Sequence, residues 1–126
     1  MEKLTLYYCT HCGNIAVKLT DSGAPMSCCG EPMQELIPNT TDAAQEKHVP
    51  VIDGMGAKVN VKVGAVAHPM EEDHYIEWIA LLTDCGLQVA WLNPGDKPEA
   101  LFACPTVGIF AAYAYCNKHG LWMAEA

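Results

Sequence analysis

Seven cysteines and five histidines in a chain of 126 residues constrain this sequence more than any other feature. An odd cysteine count in a protein without an export signal argues against a disulfide framework and toward metal or redox chemistry. Four of the cysteines lie near the start, as Cys9-Thr10-His11-Cys12 and then the adjacent pair Cys28-Cys29. Cα atoms joined by a trans peptide are about 3.8 Å apart, below the roughly 4.4–6.8 Å span of a disulfide, so a Cys28–Cys29 bridge would be strained. Two cysteines from each place instead supply a tetrahedral four-sulfur site, which suits iron or zinc. Spacing leaves both metals open, with the vicinal pair leaning toward iron. Buried free thiols and a thioredoxin-type redox pair are the competing readings, and the second lacks its βαβ setting. Gly13, directly after Cys12, excludes c-type haem attachment. His11 is expected to face solvent.

Residues 1–36 differ in character from the remainder. Their short strand-like runs, Leu4 to Tyr8 and Ile15 to Leu19, enclose little apolar surface, and a unit below about 40 residues needs a metal, disulfides or a partner. A polar stretch follows, Pro38 to Gln45, so 37–45 reads as a linker to a second domain, 46–126. There the pattern is β. Lys58 to Val63 alternates strictly, with three valines on one face. Further runs at Tyr75 to Leu82, Gln88 to Leu92, Ala100 to Ala103 and Ile109 to Tyr115, with glycine and Asn93-Pro94-Gly95 between them, predict an antiparallel sandwich or barrel.

The other four histidines fall in this second unit. His48 stands two residues before Pro50 and His68 directly before Pro69, both read as loop positions with restricted backbone. His68 and His74 can share an ion only if the Pro69 turn folds them together. Cys116 and His119 bracket a turn ending at Gly120, and their spacing lets thiolate and imidazole reach one ion. Four imidazoles and one thiolate are not the closed tetrahedron of structural zinc. They would suit a square-pyramidal iron with one position open.

Composition narrows the partners. Fifteen acidic residues against seven lysines, with no arginine, give a formal charge of −8. Without arginine forks or a basic run, nucleic acid is a poor partner. The start MEKLTLYYC lacks a long apolar core, and the apolar run Val107 to Cys116 is far shorter than the roughly 20 residues of a membrane helix. The expectation is a soluble cytoplasmic protein with no membrane partner.

Taken in order, the motifs resemble a two-iron superoxide reductase of the desulfoferrodoxin family. The first unit is similar to desulforedoxin through Cys9-Thr10-His11-Cys12-Gly13-Asn14 and Cys28-Cys29-Gly30-Glu31-Pro32-Met33. The second is similar to the neelaredoxin-type catalytic domain through Glu46-Lys47-His48-Val49-Pro50, His68-Pro69-Met70-Glu71-Glu72-Asp73-His74, Pro94-Gly95-Asp96 and Cys116-Asn117-Lys118-His119-Gly120. The resemblance implies a mainly β chain: a small metal-stapled domain, then an immunoglobulin-like antiparallel β-sandwich. It implies one iron on Cys9, Cys12, Cys28 and Cys29. It implies a second, non-haem iron on His48, His68, His74, His119 and Cys116. Glu46 then corresponds to the group that occupies the sixth position in the ferric state, and Lys47 to the cation beside the open site. Also implied are superoxide as substrate, a rubredoxin-like electron donor and a homodimer. Cys85 and Cys104 belong to neither ligand set and read as core residues.

Overall fold

The computed structural model describes residues 3–103 and 108–126, arranged as two compact units, Leu4–Ile37 and Pro38–Ala126. In the first, β1 (Leu6–Tyr8), β2 (Ile15–Val17) and β5 (Gln34–Leu36) form an antiparallel sheet in the order β2-β1-β5. Between them β3 (Ser27–Cys28) and β4 (Glu31–Pro32) make a two-stranded ribbon. Among its described residues only Leu4, Leu6 and Cys9 are buried apolar groups. So small a core does not offset the chain entropy of ordering the unit, so a metal staple is needed here.

The second unit opens with a single helical turn, α1 (Gln45–His48), and continues through seven strands. These are β6 (Pro50–Met55), β7 (Lys58–Val63), β8 (Ile76–Thr83), β9 (Gly86–Trp91), β10 (Glu99–Ala103), β11 (Ile109–Cys116) and β12 (Gly120–Glu125). They form two antiparallel sheets, β10-β7-β6 and β12-β11-β8-β9. Three strands facing four is the immunoglobulin-like arrangement, here with the fourth strand beside β8 rather than beside β10. Val59, Val61 and Val63 are fully buried and meet Ile79, Leu81, Ala112 and Ala114 from the other sheet. The strict alternation of β7 is thus the inner face of the sandwich. Each such valine contributes roughly 1.5–3 kcal/mol of burial.

The run at Tyr75 to Leu82 is a strand, as its β-branched and aromatic alternation predicts, beginning at Ile76. β6 and β12 were not expected. Pro50 and Gly54 break any alternation in β6, and it is the pairing with β7 from Pro50↔Val63 to Met55↔Lys58 that makes it a strand. His48 is not in a loop: it closes α1, where Val49 N–H donates to Gln45 O at 2.9 Å. Cys85 is a correction. It is exposed at the β8–β9 turn, not in the core, because a hairpin tip turns its side chains away from the sheets. Cys104 lies outside the described residues. Among those described, no helix is long and apolar enough to cross a membrane.

The segment read as a linker is tied to β12. Asn39 N–H donates to Leu121 O at 3.0 Å, and the Asn39 side chain accepts from Met123 N–H at 2.8 Å and donates to Met123 O at 3.0 Å. This covers part of an open sheet edge and leads the chain to α1.

Candidate metal centres

The four early cysteines come together on two tight turns. One joins β1 to β2, where Cys9 N–H donates to Asn14 O and Gly13 N–H to Cys9 O, both at 2.9 Å. The other lies between β3 and β4, where Cys29 takes φ 53° and Gly30 φ 78°. That left-handed backbone turns two consecutive side chains toward the first pair. The four sulfurs fall in one group with ligand atoms within 4.8 Å of one another, Cys12 Sγ and Cys28 Sγ being 3.6 Å apart. All four are thiols rather than disulfides. Backbone N–H of Cys12, and behind it His11, holds Cys9 down at about 6, while the neighbouring sulfurs of Cys12 and Cys9 push Cys29 up to about 12. Thiols crowded this way ionise together only when a cation neutralises them. His11 is exposed, points to Glu31 Oε2 at 3.0 Å, and takes no part in the group.

The second group is built where β6 and β8 begin and β7 and β11 end. Pro50 pairs with Val63 in one sheet and Ile76 with Cys116 in the other, so the flanking residues converge at one end of the sandwich. There His48, His68, His74, Cys116 and His119 form a cluster whose ligand atoms also lie within 4.8 Å of one another. The imidazoles make a closed ring of edge-to-face neighbours, with centroid separations of 4.6 Å (His48–His68), 4.7 Å (His68–His74), 5.0 Å (His74–His119) and 4.9 Å (His119–His48). Cys116 is fully buried, its Sγ 3.9 Å from His119 Nδ1.

The tautomers show what this ring is for. His48 Nδ1 lies 2.7 Å from Ala44 O and His68 Nδ1 lies 2.6 Å from Pro69 O. A carbonyl only accepts, so both Nδ1 atoms carry the proton and both Nε2 atoms present lone pairs. Those two Nε2 atoms face each other at 3.1 Å, and His119 Nδ1 stands 3.1 Å from His48 Nε2. His74 Nε2 is buried with no hydrogen-bond partner. Converging lone pairs and an orphaned ring nitrogen are unfavourable unless a cation lies among them, and the donor set fits one soft enough for imidazole and thiolate. Burial pushes His68 down to about 4 and lowers His48 and His74, keeping the rings neutral and able to bind metal. Burial also pushes the Cys116 thiol up, opposed by the backbone N–H groups of Lys118 and His119 that point at its sulfur.

Glu46 and Lys47 occupy the same helical turn as His48, and both are exposed. Glu46 O accepts from Val66 N–H at 2.8 Å, which docks the turn on the loop leading to His68.

Three further contributors escape sequence reasoning. Trp122 stacks on His48 at 4.8 Å and donates from Nε1 to His119 O at 3.0 Å, yet in the sequence it is one more apolar residue of a strand. Asn117 binds the backbone on both sides of His74; its place between Cys116 and His119 was the available signal. Gly64 has no room for a side chain: a Cβ there would lie 2.6 Å from Glu46 O and 3.0 Å from Val49 O. α1 reaches its position only because residue 64 is glycine.

Comparison with known proteins places both units. A family model described as desulfoferrodoxin matches residues 40–125, and one described as desulfoferrodoxin, N-terminal domain, matches residues 1–36. The chain is 51% identical over 124 residues to a desulfoferrodoxin of Syntrophotalea carbinolica, covering 98% of each. It is 50% identical over 121 residues to a desulfoferrodoxin of Nitratidesulfovibrio vulgaris, covering 96% of this chain and 95% of that one. The crystal structure of the superoxide reductase from Treponema pallidum superposes with a TM-score of 0.80 at 35% identity, over 98% of this chain and 99% of that one.

Proposed function

The chain belongs to the desulfoferrodoxin family, and from that premise we propose that it is a superoxide reductase. It takes one electron and two protons per superoxide and releases hydrogen peroxide, with no dioxygen formed. The observation that carries this reading is the ring of four imidazoles grouped with one buried cysteine, five donors within reach of a single ion and one short of six-coordination. His48, His68, His74, His119 and Cys116 would hold an iron ion that would supply the one-electron reductant, with the Cys116 sulfur tuning its potential. Cys9, Cys12, Cys28 and Cys29 would hold a second iron.

The chain's own groups do the rest. The carbonyls of Ala44 and Pro69 hold the His48 and His68 protons on Nδ1, so that Nε2 is always the donor. Lys47 draws the anion toward the open corner and orders the water that delivers protons. Glu46 provides an anionic oxygen for that corner in the oxidised state. Cys12 and Cys29 are exposed, which gives an external donor access to the four-sulfur centre. That donor is rubredoxin-like, and the protein works as a homodimer.

Mixing the reduced protein with superoxide tests the reading. One hydrogen peroxide per superoxide is expected, with no dioxygen and with a ferric visible band that appears on oxidation and is bleached by added reductant. A reduced protein that ignores superoxide is an electron carrier, and the reading fails.

A further inference from the structure

The turn that carries Cys116 and His119 also carries Asn117, whose polar atoms are directed at the segment holding His74. Asn117 Oδ1 accepts from Tyr75 N–H at 2.9 Å, Nδ2 donates to Asp73 O at 3.0 Å, and the backbone N–H donates to Tyr75 O at 3.2 Å. These bonds grip the residues immediately before and after His74. On the far side, His74 N–H donates to Glu71 O at 3.1 Å and Glu71 N–H to His74 O at 2.9 Å, closing the loop.

The other rings are fixed differently. His48 and His68 are held through their own Nδ1 atoms by carbonyls, and His119 shares its turn with Cys116. Among the described residues, no such carbonyl holds the His74 ring, its Nε2 is unpartnered, and the ring is only half-buried. Its direction therefore follows from where the backbone puts its Cα.

We propose that Asn117 is the positioning residue for His74, locking that imidazole to the turn that presents the thiolate so that the two donors keep one geometry. The inference rests on the reading of this group as an iron centre. Asn117 is exposed, so water can replace its bonds when the side chain is removed. The fold survives and the constraint is lost. Outer-layer residues of this kind alter metal affinity by about 10–100-fold.

The test compares the full-length, iron-loaded protein with Asn117→Ala, Asn117→Asp and Lys118→Ala. Iron release to a chelator is read together with the rhombicity of the ferric paramagnetic-resonance signal, the four-sulfur centre serving as internal control. Asn117→Ala should release the histidine-bound iron about 10–100-fold faster and alter its signal, leaving the other centre unchanged. Asn117→Asp, which keeps the acceptor for Tyr75 N–H, should recover part of the loss. Lys118→Ala keeps the backbone N–H at Cys116 and both Asn117 side-chain bonds, removes an exposed side chain with its 3.7 Å ion pair to Asp73, and should release iron as the parent does. A parent-like Asn117→Ala, or an equal loss in Lys118→Ala, would overturn the assignment. A parent that binds no iron in this centre refutes the iron reading instead. Nuclear magnetic resonance of the zinc-loaded chain then decides the positioning role, with the His74 ring expected to shift in Asn117→Ala and those of His48 and His68 to stay. An unmoved His74 ring overturns it there too.

Discussion

At the scale of single residues, the second centre depends on controlling which ring nitrogen is free. The Nδ1 protons of His48 and His68 go to carbonyls, so their Nε2 lone pairs face a common centre at 3.1 Å. With no metal bound, burial away from water disfavours the charged ring and pushes His68 down to about 4 from an ordinary 6.5. Between those values the unfolded chain binds a proton that the folded protein does not, so stability rises with pH across the window and is lost as pH falls. The denaturant midpoint of the metal-free protein should therefore be level above about pH 6.5 and decline toward pH 4. A midpoint level throughout would show that the rings take up protons in the folded state. His119→Ala removes a ring nitrogen 3.9 Å from Cys116 Sγ and opens the ring of imidazoles. Elemental analysis should find the histidine-bound iron lost and the four-sulfur metal retained; loss of both would mean the two units do not hold their metals separately.

At the scale of elements, the site is made by strand ends and by the close approach of one helical turn. β7 stops at Val63 and β11 at Cys116, and the connections that follow carry His68 and His119. α1 reaches the same end because nothing projects from Gly64. Gly64→Ala would drive a methyl group into the Glu46 carbonyl, moving the turn that bears Glu46, Lys47 and His48. Overpacking of this kind costs about 1–3 kcal/mol, to be read from the denaturation midpoint of the metal-loaded protein. An unchanged midpoint would mean that α1 shifts freely and does not set the position of His48.

At the scale of the whole molecule, charge poses a problem that the site must solve. A protein of net charge −8 repels superoxide on average. On the proposed reading, attraction comes from the local field of the metal and of Lys47, on the turn beside His48. Lys47→Ala should keep both metals and their visible bands while slowing the second-order reaction about tenfold at low salt, equivalent to roughly 1.4 kcal/mol. Added salt should slow the unsubstituted protein, because it screens the local field that wins at the entrance. Acceleration by salt would mean that the overall charge governs approach and that Lys47 does not.

Much of this protein is legible in one dimension. Ligand types must be present whatever the fold, so Cys9, Cys12, Cys28 and Cys29 stand out by spacing, and His48, His68, His74, Cys116 and His119 by motif. The inner face of β7 is visible because a half-buried strand forces alternation of valine with polar residues. β6 and β12 are not visible, since Pro50 and Gly54 interrupt the first and the second, Gly120–Glu125, has no polar alternation, so both become strands only when a neighbour pairs with them. Exposure of Cys85 follows from the hairpin tip, a property of pairing rather than of cysteine. Which ring nitrogen points inward, the stack of Trp122 on His48, the grip of Asn117 and the empty space at Gly64 all belong to the tertiary structure. Each depends on atoms that are distant in the chain, and a hydrogen bond or a close approach exists only once folding has brought both partners to the same place.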